Sequence, residues 1–309
     1  MNTFIKVIEI WTPTADRRKL QLVDGLFNGN DKFEGVTRRK CFEYDEGLPG
    51  KAWSTAFPQI ITDLENSIFV RKQAALNANL SSAIAFPIFS GEFLLAVVVF
   101  LCGDKEFDAG AIELWGNVNG EFNTLSLIDG YYGSLEILEI MSRHRTFKKG
   151  EGLPGTVWDY NLPILVDDPG NSAIFLRRSN AEIDGISAAF GLPYRYNENE
   201  MVLTFLSTMD APIARRFEIW VPERNHTHLF FHSGKCELNF DLSSIYRDKK
   251  IVRGYGLIGQ AWQSGCPQIG RDMEKEFPEM YDYSNSFSSA FALPIIDNGL
   301  LRSLVVFYV

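Results

Sequence analysis

Cysteine, histidine, long apolar runs and positive charge are all in short supply in this chain. Its four cysteines, Cys41, Cys102, Cys236 and Cys266, form no Cys-x-x-Cys pair. That removes any disulfide framework from consideration and reads as free cytosolic thiols. Three of the four histidines, His226, His228 and His232, stand near Cys236. No second cluster completes a metal site there, so a solvated strand face is the expectation and no metal is assigned. The longest apolar run, Phe93–Cys102, is ten residues, half of what a membrane span needs, and reads as a buried strand. The opening "MNTFIKVIEIW" lacks the basic cluster and cleavage site of a secretory signal. A cytoplasmic protein with no membrane partner is the expectation. Lys and Arg total 30 against 39 Asp and Glu, a net charge of −9. Nucleic acid needs a basic face to neutralise phosphates, so it is excluded as a partner.

What the chain does have is repetition. "EGLPGKAW" (46–53), "EGLPGTVW" (151–158) and "YGLIGQAW" (255–262) are spaced 105 and 104 residues apart, measured at Gly47, Gly152 and Gly256. Trp11, Trp115 and Trp220, in "EIW", "ELW" and "EIW", precede those glycines by 36, 37 and 36 residues. Pro58, Pro163 and Pro267 follow the last glycine of each turn by eight residues, and Asp63, Asp168 and Asp272 follow the prolines by five. This fixed spacing predicts three repeats, at 1–105, 106–211 and 212–309.

Within a repeat, alternating segments such as "VIEIW" and "LQLVDG" read as a strand pair. "SLEILEIMSR" (134–143), apolar at helical spacing, reads as a helix. After the glycine turn "KAWSTAF" (51–57) reads as a short helix, ended by Pro58. "QIITD" is extended, "SIFVRKQAAL" (67–76) is a second helix, and two strands close the unit. The class is α+β: antiparallel sheets with short helices gathered on one face.

Two of the glycine turns also spell Gly-x-Gly-x-x-Gly: Gly150, Gly152, Gly155 and Gly254, Gly256, Gly259. A dinucleotide loop needs a buried strand before it and a full helix after it. Here the preceding segments are polar and a proline cuts the helix short, so these glycines read as tight turns against the sheet.

The Gly-Leu-Pro-Gly turn, the tryptophan, the proline, the aspartate, "F-x-R" and "A-x-x-F-P-I" together resemble a GAF sensor domain, the kind found beside bacterial signalling kinases. The resemblance covers all three repeats. It implies an antiparallel sheet whose first and last strands are neighbours, with a small-molecule pocket between the sheet and the helix-loop layer that carries the glycine turn. Two departures stand out. The terminal GAF helices are missing at the repeat junctions, which leaves sheet backs to be covered. The expectation is that sheets pack on one another or on a second chain as a homo-oligomer, with strands exchanged between neighbouring repeats to close a ring. There is also no output domain in these 309 residues, so a sensor of this kind would act through a partner protein.

The ligand-binding candidates are Trp53, Asp63, Phe69 and Arg71 in the first repeat, with Trp158, Asp168, Phe175 and Arg177 in the second. Each has a structural alternative. The tryptophans are core or a pocket wall. The aspartates are turn or cap residues. The arginines of "F-x-R" either grip an anionic ligand or form a structural ion pair. The third repeat lacks "F-x-R", carrying "FPEMYDYSNSF" (277–287), and has Ile258 where the others have proline. There is no serine elbow. The clustered cysteines of the methionine sulfoxide reductases of this family and the Cys-His pair of its bilin carriers are absent too. No catalytic residue is assigned, and an enzyme is not expected. The expected function is a small-molecule sensor or regulatory protein whose ligand and cofactor are unidentified; the alternative is a ligand-free scaffold for protein–protein contacts.

Overall fold

The structure is a computed structural model, and it describes residues 3–103, 110–117, 123–277 and 286–309. The polar connection expected between the first two repeats (104–109) and most of the segment replacing "F-x-R" (278–285) lie outside the described residues.

The first sheet is built from β1 (Ile5–Pro13), β2 (Lys19–Leu26), β3 (Cys41–Glu43), β4 (Gln59–Ile61), β5 (Ser82–Ser90) and β6 (Phe93–Cys102), with helices α1 (Asp31–Thr37), α2 (Gly47–Thr55) and α3 (Lys72–Leu76) between them. The second has β7 (Gly110–Gly116), β8 (Thr124–Tyr131), β9 (Thr146–Lys148), β10 (Ile164–Val166), β11 (Ile186–Tyr196) and β12 (Asn199–Thr208), with α4 (Glu136–Arg143), α5 (Gly152–Tyr160) and α6 (Arg178–Ile183). The third has β13 (Arg216–Pro222), β14 (His228–Cys236), β15 (Lys250–Val252), β16 (Gln268–Gly270), β17 (Ala290–Asp297) and β18 (Leu300–Tyr308), with α7 (Leu242–Ile245), α8 (Gly256–Ser264) and α9 (Met273–Glu276). All three sheets share one order, β3-β2-β1-β6-β5-β4 and its counterparts. The α+β class is as the sequence predicts.

The chain divides into two compact units, 1–213 and 214–309. Within the first unit the two sheets meet back to back. Alternation along β5 and β6 turns Ala83, Ala85, Val97 and Val99 toward the helices, and Phe86 and Phe100 toward the other sheet. Phe86 packs edge-on against Tyr194 at 5.4 Å, Phe100 against Phe205 at 5.8 Å, and the Tyr194 hydroxyl donates to the Ala56 carbonyl. These sheet backs therefore cover each other, which is the work the missing terminal helices would have done.

Strand exchange does not occur. β1 already fills the place beside β6, pairing Glu9 with Val99 and Ile8 with Phe100, and β7 pairs with β12 of its own sheet. No slot is left for a neighbour's first strand.

Two local predictions are corrected. Only Lys72–Leu76 of the segment 67–76 is helical. Before it Ile68 and Val70 face solvent while Phe69 and Arg71 point inward, a period of two that a helix cannot supply. The glycine-turn helix also starts earlier and stops sooner than expected. α2 begins at Gly47 itself and ends through Ala56 in the left-handed region (φ +56°), two residues before Pro58. The expected helix in 134–143 forms as α4, but it buries Leu138 and Ser142 and leaves Ile137, Ile140 and Met141 outside.

Candidate functional site

Glutamate and tryptophan two apart on a strand point to the same face. In "E-x-W" that face is the inner one, so each repeat buries a carboxylate completely: Glu9, Glu113 and Glu218 are all 0% exposed. An isolated buried charge is prohibitively costly, so each needs a counter-charge and several hydrogen bonds. In the first repeat Arg71 supplies both, as a bidentate fork with Nη1 at 2.5 Å from Oε1 and Nη2 at 2.9 Å from Oε2 of Glu9. Trp11 Nε1–H adds a bond to Oε2 at 2.8 Å, and Arg71 reaches Thr37 Oγ1 at 2.5 Å. The guanidinium lies 4.9 Å from the rings of both Phe33 and Phe69.

The second repeat copies this. Arg177 forks onto Glu113 at 2.5 and 2.9 Å, and Ser142 Oγ, Thr204 Oγ1 and Trp115 Nε1 donate to the same carboxylate at 2.7, 2.9 and 3.1 Å. Burial pushes the Glu113 carboxyl up, but the Arg177 charge and the donors outweigh it and hold the group below the ordinary glutamate range. A folded-state value below the unfolded one stabilises above the unfolded value of roughly pH 4.3, and that stability is lost as pH falls through the folded value. Lowering the pH from 6 to 3 should therefore reduce the urea midpoint of the wild type more than that of a Glu113→Leu/Arg177→Met chain. Equal reductions would show that this pair carries no part of the acid sensitivity.

The third repeat makes the same pair from a different place. Arg216 stands two residues before Glu218 on β13, where the other repeats have Val7 and Ala111. Its Nε donates to Glu218 Oε1 at 2.7 Å and its Nη2 to the Tyr246 hydroxyl at 2.6 Å, while Trp220 Nε1 donates to Oε2 at 2.9 Å. Tyr246 takes the position of Thr37 and Ser142, so each repeat gives the guanidinium a hydroxyl from its first helix or from that helix's C-terminal cap residue.

Of the eight ligand-binding candidates, the structure brings together Phe69 with Arg71 and Phe175 with Arg177, around a glutamate rather than an opening. Trp53 packs edge-on against Tyr44, and Trp158 donates its Nε1–H to Glu200 at 2.6 Å. Asp63 and Asp168 fold back their own turns, accepting from the side-chain amides of Asn66 and Asn171 at 2.9 and 2.8 Å. The sequence reading passed over Glu9, Glu113, Glu218 and Arg216. The signal available was the threefold "E-x-W" itself, an acid held at an inward-facing strand position.

The glycine turns bring each short helix hard against the small strand before it. A Cβ on Gly50, Gly155 or Gly259 would sit 2.2, 2.0 or 2.2 Å from the carbonyl oxygen of Glu43, Lys148 or Val252. The nucleotide-like pattern is thus a packing device.

The three repeats differ in what lies beneath this turn. Phe42 and Phe147 pair with Leu20 and Leu125 on the neighbouring strand and stand 4.8 Å from Trp11 and Trp115. Their rings fill the space under Gly47 and Gly152. The corresponding residue in the third repeat, paired with Leu229, is Ile251. There a cavity of about 240 Å3 opens between β15, the start of α8 and the end of α9. Trp220, Ile251, Leu257, Ile258 and Phe277 line it, with Lys249, Lys250, Lys275 and Glu276 around them.

In every sheet the first and last strands of the repeat, β1 and β6, β7 and β12, β13 and β18, are neighbours, and the glycine-turn helix lies over the inner face. The three repeats are GAF-like. No family model and no curated protein matches the chain. Among solved structures it is similar to the A. aeolicus nlh2 GAF domain in an inactive state, at 20% identity over 33% of this chain and 61% of that one, with a TM-score of 0.27. It is similar to a GAF domain/HD domain protein from Geobacter sulfurreducens at 18% identity over 32% of this chain and 63% of that one (TM-score 0.28). A third likeness is to the free methionine-R-sulfoxide reductase of Neisseria meningitidis in complex with its substrate, at 14% identity over 32% and 52% (TM-score 0.26). Each of these three matches spans less than two thirds of the other chain and about one GAF-like repeat of this one. Among the described residues, no helix is long and apolar enough to cross a membrane, and no cluster of three or more His, Cys, Asp or Glu could hold a metal.

Proposed function

We propose that the chain is a small-molecule-responsive regulatory protein, acting in the cytoplasm by binding rather than catalysis and through a partner protein, with its ligand site in the third repeat. The observation that carries this reading is the cavity under the third glycine turn, in the position where the GAF resemblance expects a pocket. In the first two repeats the same space is taken by a phenylalanine ring, beside the arginine–glutamate pair, and these repeats fit the scaffold reading instead. Arg216 completes the third pair from within its own strand, so that ion pair joins no part of the helix-loop layer to the sheet. A ligand could then shift the helix-loop layer by binding one of its arrangements better than another.

The test is native beside denaturing mass spectrometry of the full chain and of Ile251→Phe, which puts a ring where Phe42 and Phe147 have theirs. The expected result is a small-molecule adduct on the wild type that disappears on denaturation and is missing from the variant. An adduct of undiminished occupancy on Ile251→Phe would place the ligand elsewhere, and a bare mass for the wild type would favour the scaffold.

A further inference from the structure

The cavity's lining carries chemical information beyond its existence. Its floor is apolar and aromatic, with Trp220, Leu257 and Phe277, while its charged residues, among the described ones, are three lysines and one glutamate. That balance is positive in a chain whose net charge is −9. The exception is Glu276, whose carboxylate is seated on a backbone amide of the site. Its Oε2 accepts the backbone N–H of Leu257 at 2.7 Å, at the start of the nine-residue helix α8. The chain thus already seats a carboxylate on that amide, where the helix dipole favours negative charge. Size narrows the class. A volume of about 240 Å3 exceeds the roughly 150 Å3 that holds a benzene molecule. It falls below the roughly 300 Å3 at which drug-sized pockets begin, so a dinucleotide does not fit.

We propose that the third-repeat cavity takes a small carboxylate with an apolar body, of about the size of benzoate, whose acid group occupies the Leu257 amide in place of Glu276. The inference rests on the cavity being the ligand site. Glu276 is then an internal competitor: its carboxylate holds the amide until the ligand's displaces it, and the lysines favour the incoming acid.

Isothermal titration of the full chain with sodium benzoate, benzyl alcohol and inorganic phosphate tests this. Benzoate is expected to bind at least tenfold more tightly than benzyl alcohol, its neutral counterpart in shape, and phosphate not to bind. Ile251→Phe should weaken benzoate at least tenfold, and Lys275→Met several-fold. Glu276→Gln, which keeps an acceptor for Leu257 but removes the repelling charge, should tighten benzoate about tenfold and leave benzyl alcohol unchanged. Circular dichroism checks that each variant is folded. Equal binding of benzoate and benzyl alcohol would overturn the acid preference and leave the cavity standing. So would a failure of all three probes in a chain that co-purifies with an adduct lost in Ile251→Phe. Benzoate binding that Ile251→Phe does not weaken, or no binding at all to a chain of bare mass, would remove the cavity reading along with it.

Discussion

Glu113→Ala is expected to destabilise the 1–213 unit by about 3–5 kcal/mol, because it leaves the Arg177 guanidinium buried without its counter-charge. Arg177 is 5% exposed and packs against the rings of Trp115 and Phe175, at 5.7 and 5.3 Å. Ser142, Thr204 and Trp115 lose their shared acceptor in the same step. Replacing both partners with apolar residues, Glu113→Leu with Arg177→Met, should recover most of the loss, since the pair's attraction chiefly offsets its own desolvation. Urea unfolding of the wild type, the single and the double variant measures this. A single variant within about 0.5 kcal/mol of the wild type, the range of an ordinary surface substitution, would mean that the pair is not closed off from solvent as described.

The second large effect belongs to the glycine turn. Gly155→Ala should cost about 3 kcal/mol, at the upper end of what overpacking does, because the new Cβ meets a backbone carbonyl and not a side chain that can swing away. The carbonyl is that of Lys148, 2.0 Å off, and β9 to which it belongs is held by β8. Either α5 lifts away from the sheet or β9 leaves β8, and both expose core. For a unit of this size the loss amounts to a fall in Tm of about 6–12 °C. Gly185→Ala is the control. It has φ of +65° but nothing within 4 Å, so only the left-handed backbone cost of about 1 kcal/mol applies. Equal costs for the two substitutions would show that close approach is not what requires glycine at 155.

The architecture was legible because its landmarks are local. A glycine turn, a proline, an aspartate and a strand of alternating residues each declare themselves within a few positions, and their recurrence about every hundred residues gave the repeats. The site was less legible because its chemistry is not local. Arg71 and Arg177 read either as ligand-gripping or as ion-paired, and nothing near them names Glu9 or Glu113 as their partners. The glutamates in turn looked like spacing marks beside a tryptophan. In the third repeat the loss of "F-x-R" resembled decay, whereas Arg216 had taken over the charge. The change from phenylalanine to Ile251 is visible in the sequence; the volume it leaves depends on Trp220 and α8 and is not.

The position of the arginine also sets when each pair can form. Glu9 and Arg71 are 62 residues apart and Glu113 and Arg177 are 64 apart, against two for Arg216 and Glu218. The first two pairs must wait until the chain has closed a long loop, with the entropy of that closure already spent, and they then lock a distant segment in place. The third pair forms as soon as β13 does and closes no loop. Topology therefore gives the third repeat's arginine–glutamate pair a lower contact order than its two counterparts, and the long-range tie falls instead to the neighbouring Arg215, whose Nη1 donates to the Ser286 carbonyl 71 residues away.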